Sequence, residues 1–180
     1  DLGKIIFKKG TDKEGTSLKK QYSIVGDTFI LDCPIPESIV FPEFNIFNSY
    51  YQNNMEIRNK KYKELILKEK LGNYQKNCGF ENIKCSFGHD EYLYQLLKFN
   101  NVSLPKQAFY IIRYHSLYLW HYENEYTFFE NETDKEMKFW VQLFQKYDLY
   151  TKVNIEKNEN ELKKYYSTII DYYLPNQIHW

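Results

Sequence analysis

An all-α fold is predicted for this chain by three observations. Apolar residues recur every three or four positions in successive segments from Ser86 onward, helix-start signals stand in front of those segments, and only one short stretch is β-prone. Neither an internal repeat nor a composition break divides the 180 residues, so a single mostly helical domain over 1–180, with long irregular loops, is expected.

The chain opens on Asp1 instead of methionine, and Asp1-Leu2-Gly3-Lys4-Ile5-Ile6-Phe7 reads as the continuation of a helix already under way, which suggests N-terminal truncation. Residues 8–21 are polar, contain Gly10 and Gly15 and show no apolar period, so a solvated loop or insertion is expected. Within 22–32, Ile24-Val25-Gly26-Asp27-Thr28-Phe29 is β-prone but broken by a glycine. Pro34, Pro36 and Pro42 follow in an extended stretch. Residues 59–69 are strongly charged and predict a solvated helix.

Four helices are predicted beyond. The first starts at His89 and runs through Leu93, Leu96 and Leu97. The second, introduced by Ser103 and Pro105, continues through Ala108, Ile111, Ile112, His115 and Leu119. The third is expected to start at a capping box, Thr133 with Glu136, and carries Met137, Trp140, Val141, Phe144 and Asp148. The last covers Glu159–Tyr173 and ends before Pro175.

Lysine plus arginine equals aspartate plus glutamate at 24 each, so no global basic field gathers nucleic acid or anionic lipid, and neither partner is expected. Cys33, Cys78 and Cys85 are odd in number and form no C-x-x-C pair, against a disulfide framework or a thiolate zinc site. With no apolar run of the roughly 20 residues that span a bilayer, and no secretory pattern, the cytoplasm is expected. Tyrosine, phenylalanine and lysine are spread along the whole chain and point to no one site.

Three ligand-type side chains interrupt the apolar stripes. His89 lies four before Leu93, His115 lies three and four beyond Ile112 and Ile111, and Asp148 lies four beyond Phe144 and seven beyond Val141. At about 3.6 residues per turn each belongs to a core-facing stripe. A buried carboxylate needs a cation, a hydrogen-bond network or a metal. Singly, His115 reads as a hydrogen-bonded core histidine, Asp148 as a helix-end residue paired with Lys152, and His89 as a cap. Together on consecutive helices, with Asp1, they suggest a shared centre for iron, manganese or zinc, suited to oxygen activation or to hydrolysis by metal-bound hydroxide.

Longer segments then become distinctive. Ser86-Phe87-Gly88-His89-Asp90-Glu91-Tyr92, Arg113-Tyr114-His115-Ser116 leading to Trp120-His121, and Asp148-Leu149-Tyr150-Thr151-Lys152 resemble successive signature segments of the myo-inositol oxygenases. So do Asp1-Leu2-Gly3-Lys4 and Val25-Gly26-Asp27-Thr28-Phe29. The likeness covers nearly the whole chain, with residues 8–21 and 60–70 resembling insertions. It implies an HD-domain-like helical bundle and two iron ions cycling between Fe2+ and Fe3+, without an organic cofactor. His89 and His115 would hold one iron and Asp148 the other, with the Asp1 carboxylate bridging. Lys4, Gly26, Asp27, His115, Ser116 and Lys152 would face the substrate. Two family histidines precede the position of Asp1, and the chain as it stands is expected to hold at most one metal firmly.

The resemblance further implies oxidation of myo-inositol by dioxygen to D-glucuronate in a monomer. Two alternatives stand beside it: an HD-domain metal-dependent phosphohydrolase, and a non-catalytic remnant of the fold. Asp90, His121 and His179 are read as bystanders, with His121 structural or exposed and His179 in the tail.

Overall fold

A computed structural model describes residues 28–39, 41–47, 70–148 and 158–179. The expectations for residues 1–27 and 59–69 therefore lie outside the described residues, as do Asp1, Lys4, Gly26, Asp27 and Lys152. The described part is helical, and its only β-type pairing is an isolated antiparallel bridge between Ile30 and Cys85. Five α-helices follow in order: α1 His89–Phe99, α2 Lys106–Tyr114, α3 Tyr118–His121, α4 Glu132–Asp148 and α5 Glu159–Tyr173. Short 3-10 turns form at Pro42–Phe47, Phe80–Asn82 and Thr127–Phe129. None of the described helices is long and apolar enough to cross a membrane.

Helix α2 is the centre of the arrangement, packing against α1 on one side and α4 on the other. Its sequence explains why. Tyr110, Arg113 and Tyr114 are buried, while Ile111 and Ile112 are partly buried on two different apolar clusters, so little of its circumference is left to water. The main cluster is aromatic: Phe80 stacks on Trp120 at 4.3 Å between ring centroids and meets Tyr114 edge-on at 5.6 Å. Each such ring, once buried, contributes about 1.5–3 kcal/mol by apolar burial, and pairing adds about 0.5–1.5. A second cluster of Leu96, Leu97 and Val102 is covered by Leu174 and Ile178 from beyond α5. Asn100 holds that tail through its side chain to the backbone of His179, which is exposed.

Three boundaries and faces differ from expectation. The buried face of α1 comprises Asp90, Glu91, Leu96 and Leu97, and Leu93 is 41% exposed, so the stripe is rotated by about one residue from the one that includes His89. Helix α2 stops at Tyr114 and the chain turns at His115–Leu117 before α3, instead of running on to Leu119. The capping box of α4 lies two residues earlier than Thr133 and Glu136. Asn131 Oδ1 accepts the Asp134 N–H at 3.0 Å, and Asp134 Oδ2 accepts the Asn131 N–H at 2.9 Å. Asp134 wins because it is fully buried and also accepts from the Phe80 N–H and the Tyr110 hydroxyl. Asn131→Ala should destabilise the fold by about 1 kcal/mol in urea unfolding, as loss of a capping side chain does, whereas Thr133→Ala should change it by less than about 0.5 kcal/mol.

The strut between α1 and α2 is a buried ion pair. Arg113 Nε donates to Glu91 Oε2 at 2.6 Å, its Nη1 to the Tyr114 hydroxyl at 2.9 Å and its Nη2 to the Ile83 carbonyl at 3.3 Å. The guanidinium also lies 4.5 Å from the centroid of the Tyr94 ring. Glu91 is two residues after His89 and Arg113 two before His115, so this pair sets the register in which the two imidazoles meet.

Candidate metal centre

His115 occupies the C-cap of α2, where helix-end carbonyls lack intrahelical partners. Its Nδ1–H donates to the Ile111 and Ile112 carbonyls, both at 3.1 Å. That fixes the tautomer and leaves the Nε2 lone pair facing outward. His89, the first residue of α1, brings its Nε2 to 3.3 Å from His115 Nε2. The Phe144 ring of α4 closes on His115 edge-on at 5.9 Å.

Asp90, read as a bystander in the sequence, lies against both imidazoles. Its Oδ1 lies 2.7 Å from His89 Nε2 and 3.5 Å from His115 Nε2. The side chain is fully buried, and accepts hydrogen bonds from the Thr28 hydroxyl at 2.8 Å and from Ser116 through both backbone N–H and hydroxyl. Burial pushes its carboxyl upward, but the His89 hydrogen bond and the His115 and His89 charges, with the Thr28 hydroxyl, outweigh it and hold the group below the usual carboxylate range. The signal in the sequence was its spacing of four and seven from Tyr94 and Leu97.

His89, Asp90 and His115 each offer a donor atom within 4.8 Å of the others. Bonds of about 2.1 Å meeting at right angles place neighbouring donors about 3.0 Å apart, so edges of 2.7, 3.3 and 3.5 Å are of the size a first-row cation needs. Two imidazoles and a carboxylate nearby suit iron, manganese or zinc. Binding requires neutral imidazole, so a cation would displace the proton between His89 and Asp90.

Of the other expected residues, Ser116 lies in the centre, its Oγ 3.5 Å from His89 Nε2. Asp148 is the half-buried last residue of α4, one turn beyond Phe144, and is not among the three gathered donors. His121 is structural, not exposed. It is fully buried at the end of α3, and its Nε2–H donates to the His115 carbonyl at 2.9 Å. Burial lowers it to about 4, so it stays neutral, with no hydrogen-bond partner for Nδ1 among the described residues. Cys33, Cys78 and Cys85 are free thiols, and burial pushes Cys85 up to about 12. None belongs to the centre.

A buried carboxylate facing two imidazoles at the junction of two packed helices defines the class: a helical protein with a candidate histidine–carboxylate metal centre. Comparison with known proteins narrows it. A family model described as myo-inositol oxygenase matches residues 1–180, and the chain belongs to that family. Among similar curated proteins, inositol oxygenase of Sus scrofa is 42% identical over all 180 residues and that of Dictyostelium discoideum 40%. Inositol oxygenase 5 of Arabidopsis thaliana is 39% identical over 160 residues, 89% of this chain and 48% of that protein. The chain spans 57% of the Sus scrofa protein and 56% of the Dictyostelium protein.

Proposed function

We propose that the protein of which this chain is part oxidises myo-inositol with dioxygen, opening the ring to D-glucuronate in a four-electron reaction. The observation that carries the reading is the convergence of His89 Nε2 and His115 Nε2, tautomer-fixed in the second case, in a chain that the oxygenase family matches end to end. The reading includes two iron ions, no organic cofactor, a monomer and the cytoplasm. Iron, when bound, supplies Lewis acidity toward a substrate hydroxyl and reactivity toward dioxygen.

The chain's own residues divide the remaining work. His89 and His115 would hold one iron and Asp148 the other, with Asp1 between them. Lys4, the Gly26-Asp27 pair, Ser116 and Lys152 would fix the polyol, a rigid ring of donors and acceptors that a few charged and hydroxyl groups can orient. His115 would stand between iron and substrate, and Phe144 supplies an apolar wall against its ring. Arg113, the described base nearest the imidazoles in sequence, is committed to Glu91, which leaves it unsuited to gripping a phosphate.

Full-length protein from iron-replete expression should carry about two irons per chain and consume oxygen only with inositol present. A full complement of zinc with phosphodiesterase activity and no oxygen uptake would overturn the reading. Lys152→Ala and Asp27→Ala should each raise KM for inositol about 10- to 100-fold, the range for losing a hydrogen bond to a charged group, with circular dichroism unchanged. Wild-type kinetics in either variant would remove that residue from the substrate set.

A further inference from the structure

Ser116 directs both of its donors at one carboxylate. Its backbone N–H reaches Asp90 Oδ2 at 3.1 Å and its hydroxyl reaches Oδ1 at 3.2 Å. Thr28 anchors Oδ2 from a third direction at 2.8 Å, bringing in the segment that follows Gly26-Asp27. The resemblance places Ser116 at the substrate hydroxyls and gives Asp90 no part.

We infer that Asp90 is a positioning residue that makes Ser116 a hydrogen-bond acceptor toward the polyol. A hydroxyl has one proton and two lone pairs, and both Asp90 oxygens are already used as acceptors, Oδ2 by the Ser116 N–H and the Thr28 hydroxyl and Oδ1 by the Ser116 hydroxyl. The Ser116 hydroxyl lies 3.2 Å from Asp90 Oδ1 and 3.5 Å from His89 Nε2, the nitrogen a bound cation would take, so its proton goes to Asp90 and a lone pair is left for a donor on the other side. The carboxylate cannot swivel to release it, because Thr28 and the Ser116 N–H hold Oδ2. Asp90 is fully buried, so water does not offer the Ser116 proton a competing acceptor on that side. The substituent Ser116 meets must then donate: a hydroxyl is taken, and a fluoro or methoxy group at the same ring position is refused. The inference rests on the proposed placement of Ser116 against the substrate.

The test is myo-inositol binding to the full-length, iron-loaded protein under anaerobic conditions, by calorimetry, with iron content measured for each variant. Asp90→Asn, whose amide turns a donor toward Ser116, and Ser116→Ala should each weaken Kd about tenfold. The double variant should be no weaker than Ser116→Ala alone, because one acts through the other. Among monofluorinated deoxyinositols, wild type should refuse the fluoro group at one ring position, and both single variants should lose that discrimination. Losses that multiply in the double variant, or discrimination surviving Asp90→Asn, would overturn the inference. An unchanged Kd in Ser116→Ala would instead defeat the placement of Ser116 itself. Where Asp90→Asn fails to fold, Thr28→Val serves. It should weaken Kd about two- to threefold in the wild-type background and not at all beside Ser116→Ala. Equal weakening in both backgrounds would trace the effect to Asp27 and sink the role of Asp90.

Discussion

Leucine in place of His115 is expected to lower inositol-dependent oxygen uptake at least about a thousandfold, equivalent to roughly 4 kcal/mol of lost metal-ion catalysis. Its Nε2 is one of the two imidazole nitrogens gathered in the candidate centre, and no other described nitrogen replaces it. His121 is the nearest imidazole in sequence, but its Nε2–H is committed to the His115 carbonyl. Iron content of the full-length variant should fall with activity. The helices should survive, because the His115 backbone N–H still bonds Ile111 and leucine fills space beside Phe144. Retention of both irons and of turnover would exclude His115 from the centre.

Arg113→Leu should produce the largest loss of stability, about 3–5 kcal/mol, because it leaves the buried Glu91 carboxylate without its charge partner. For a chain of this size that lowers the thermal midpoint by roughly 10 °C. Glu91→Leu paired with Arg113→Leu should recover much of it, since two apolar side chains then replace a pair whose desolvation nearly offsets its attraction. Tyr94, whose ring lies beneath the guanidinium, would pack on the new leucine. The recovered protein should nevertheless bind iron less tightly than wild type, since the charged pair sets the register between His89 and His115. A single variant within about 1 kcal/mol of wild type would show that the pair adds nothing beyond its own desolvation.

What the sequence made legible was governed by local chemistry. The start of α1 at His89 and the span of α5 followed from apolar spacing and from Pro175, and both agree with the structure. Helix α2 was read too long because its apolar period continues through Leu119. The break is made by the His115 side chain bonding its own helix end, which no spacing reveals. Likewise Thr133-Glu136 and Asn131-Asp134 both satisfy a capping pattern. The choice between them is made by Phe80 and Tyr110, 54 and 24 residues away. Ser116, singled out by the family likeness, has its Oγ 3.5 Å from His89 Nε2. The contacts of Asp90 were not legible because Thr28 and Ser116 are brought to it only by the fold.

The placement of the aromatic core has a thermodynamic reach beyond the site. Phe80, Tyr114 and Trp120 pack around one another without a metal ligand among them, and Asp134 is satisfied entirely by protein donors. Cohesion and metal capture are thus drawn from separate sets of side chains. Small metal-stapled domains come apart when a chelator strips them, because their binding energy is their folding energy. Here an apo state with its helices in place should persist after chelation and refill with whichever divalent ion is supplied. The identity of the metal is then decided by supply and ligand chemistry after folding, so the protein's reactivity can be switched off and restored without being unfolded.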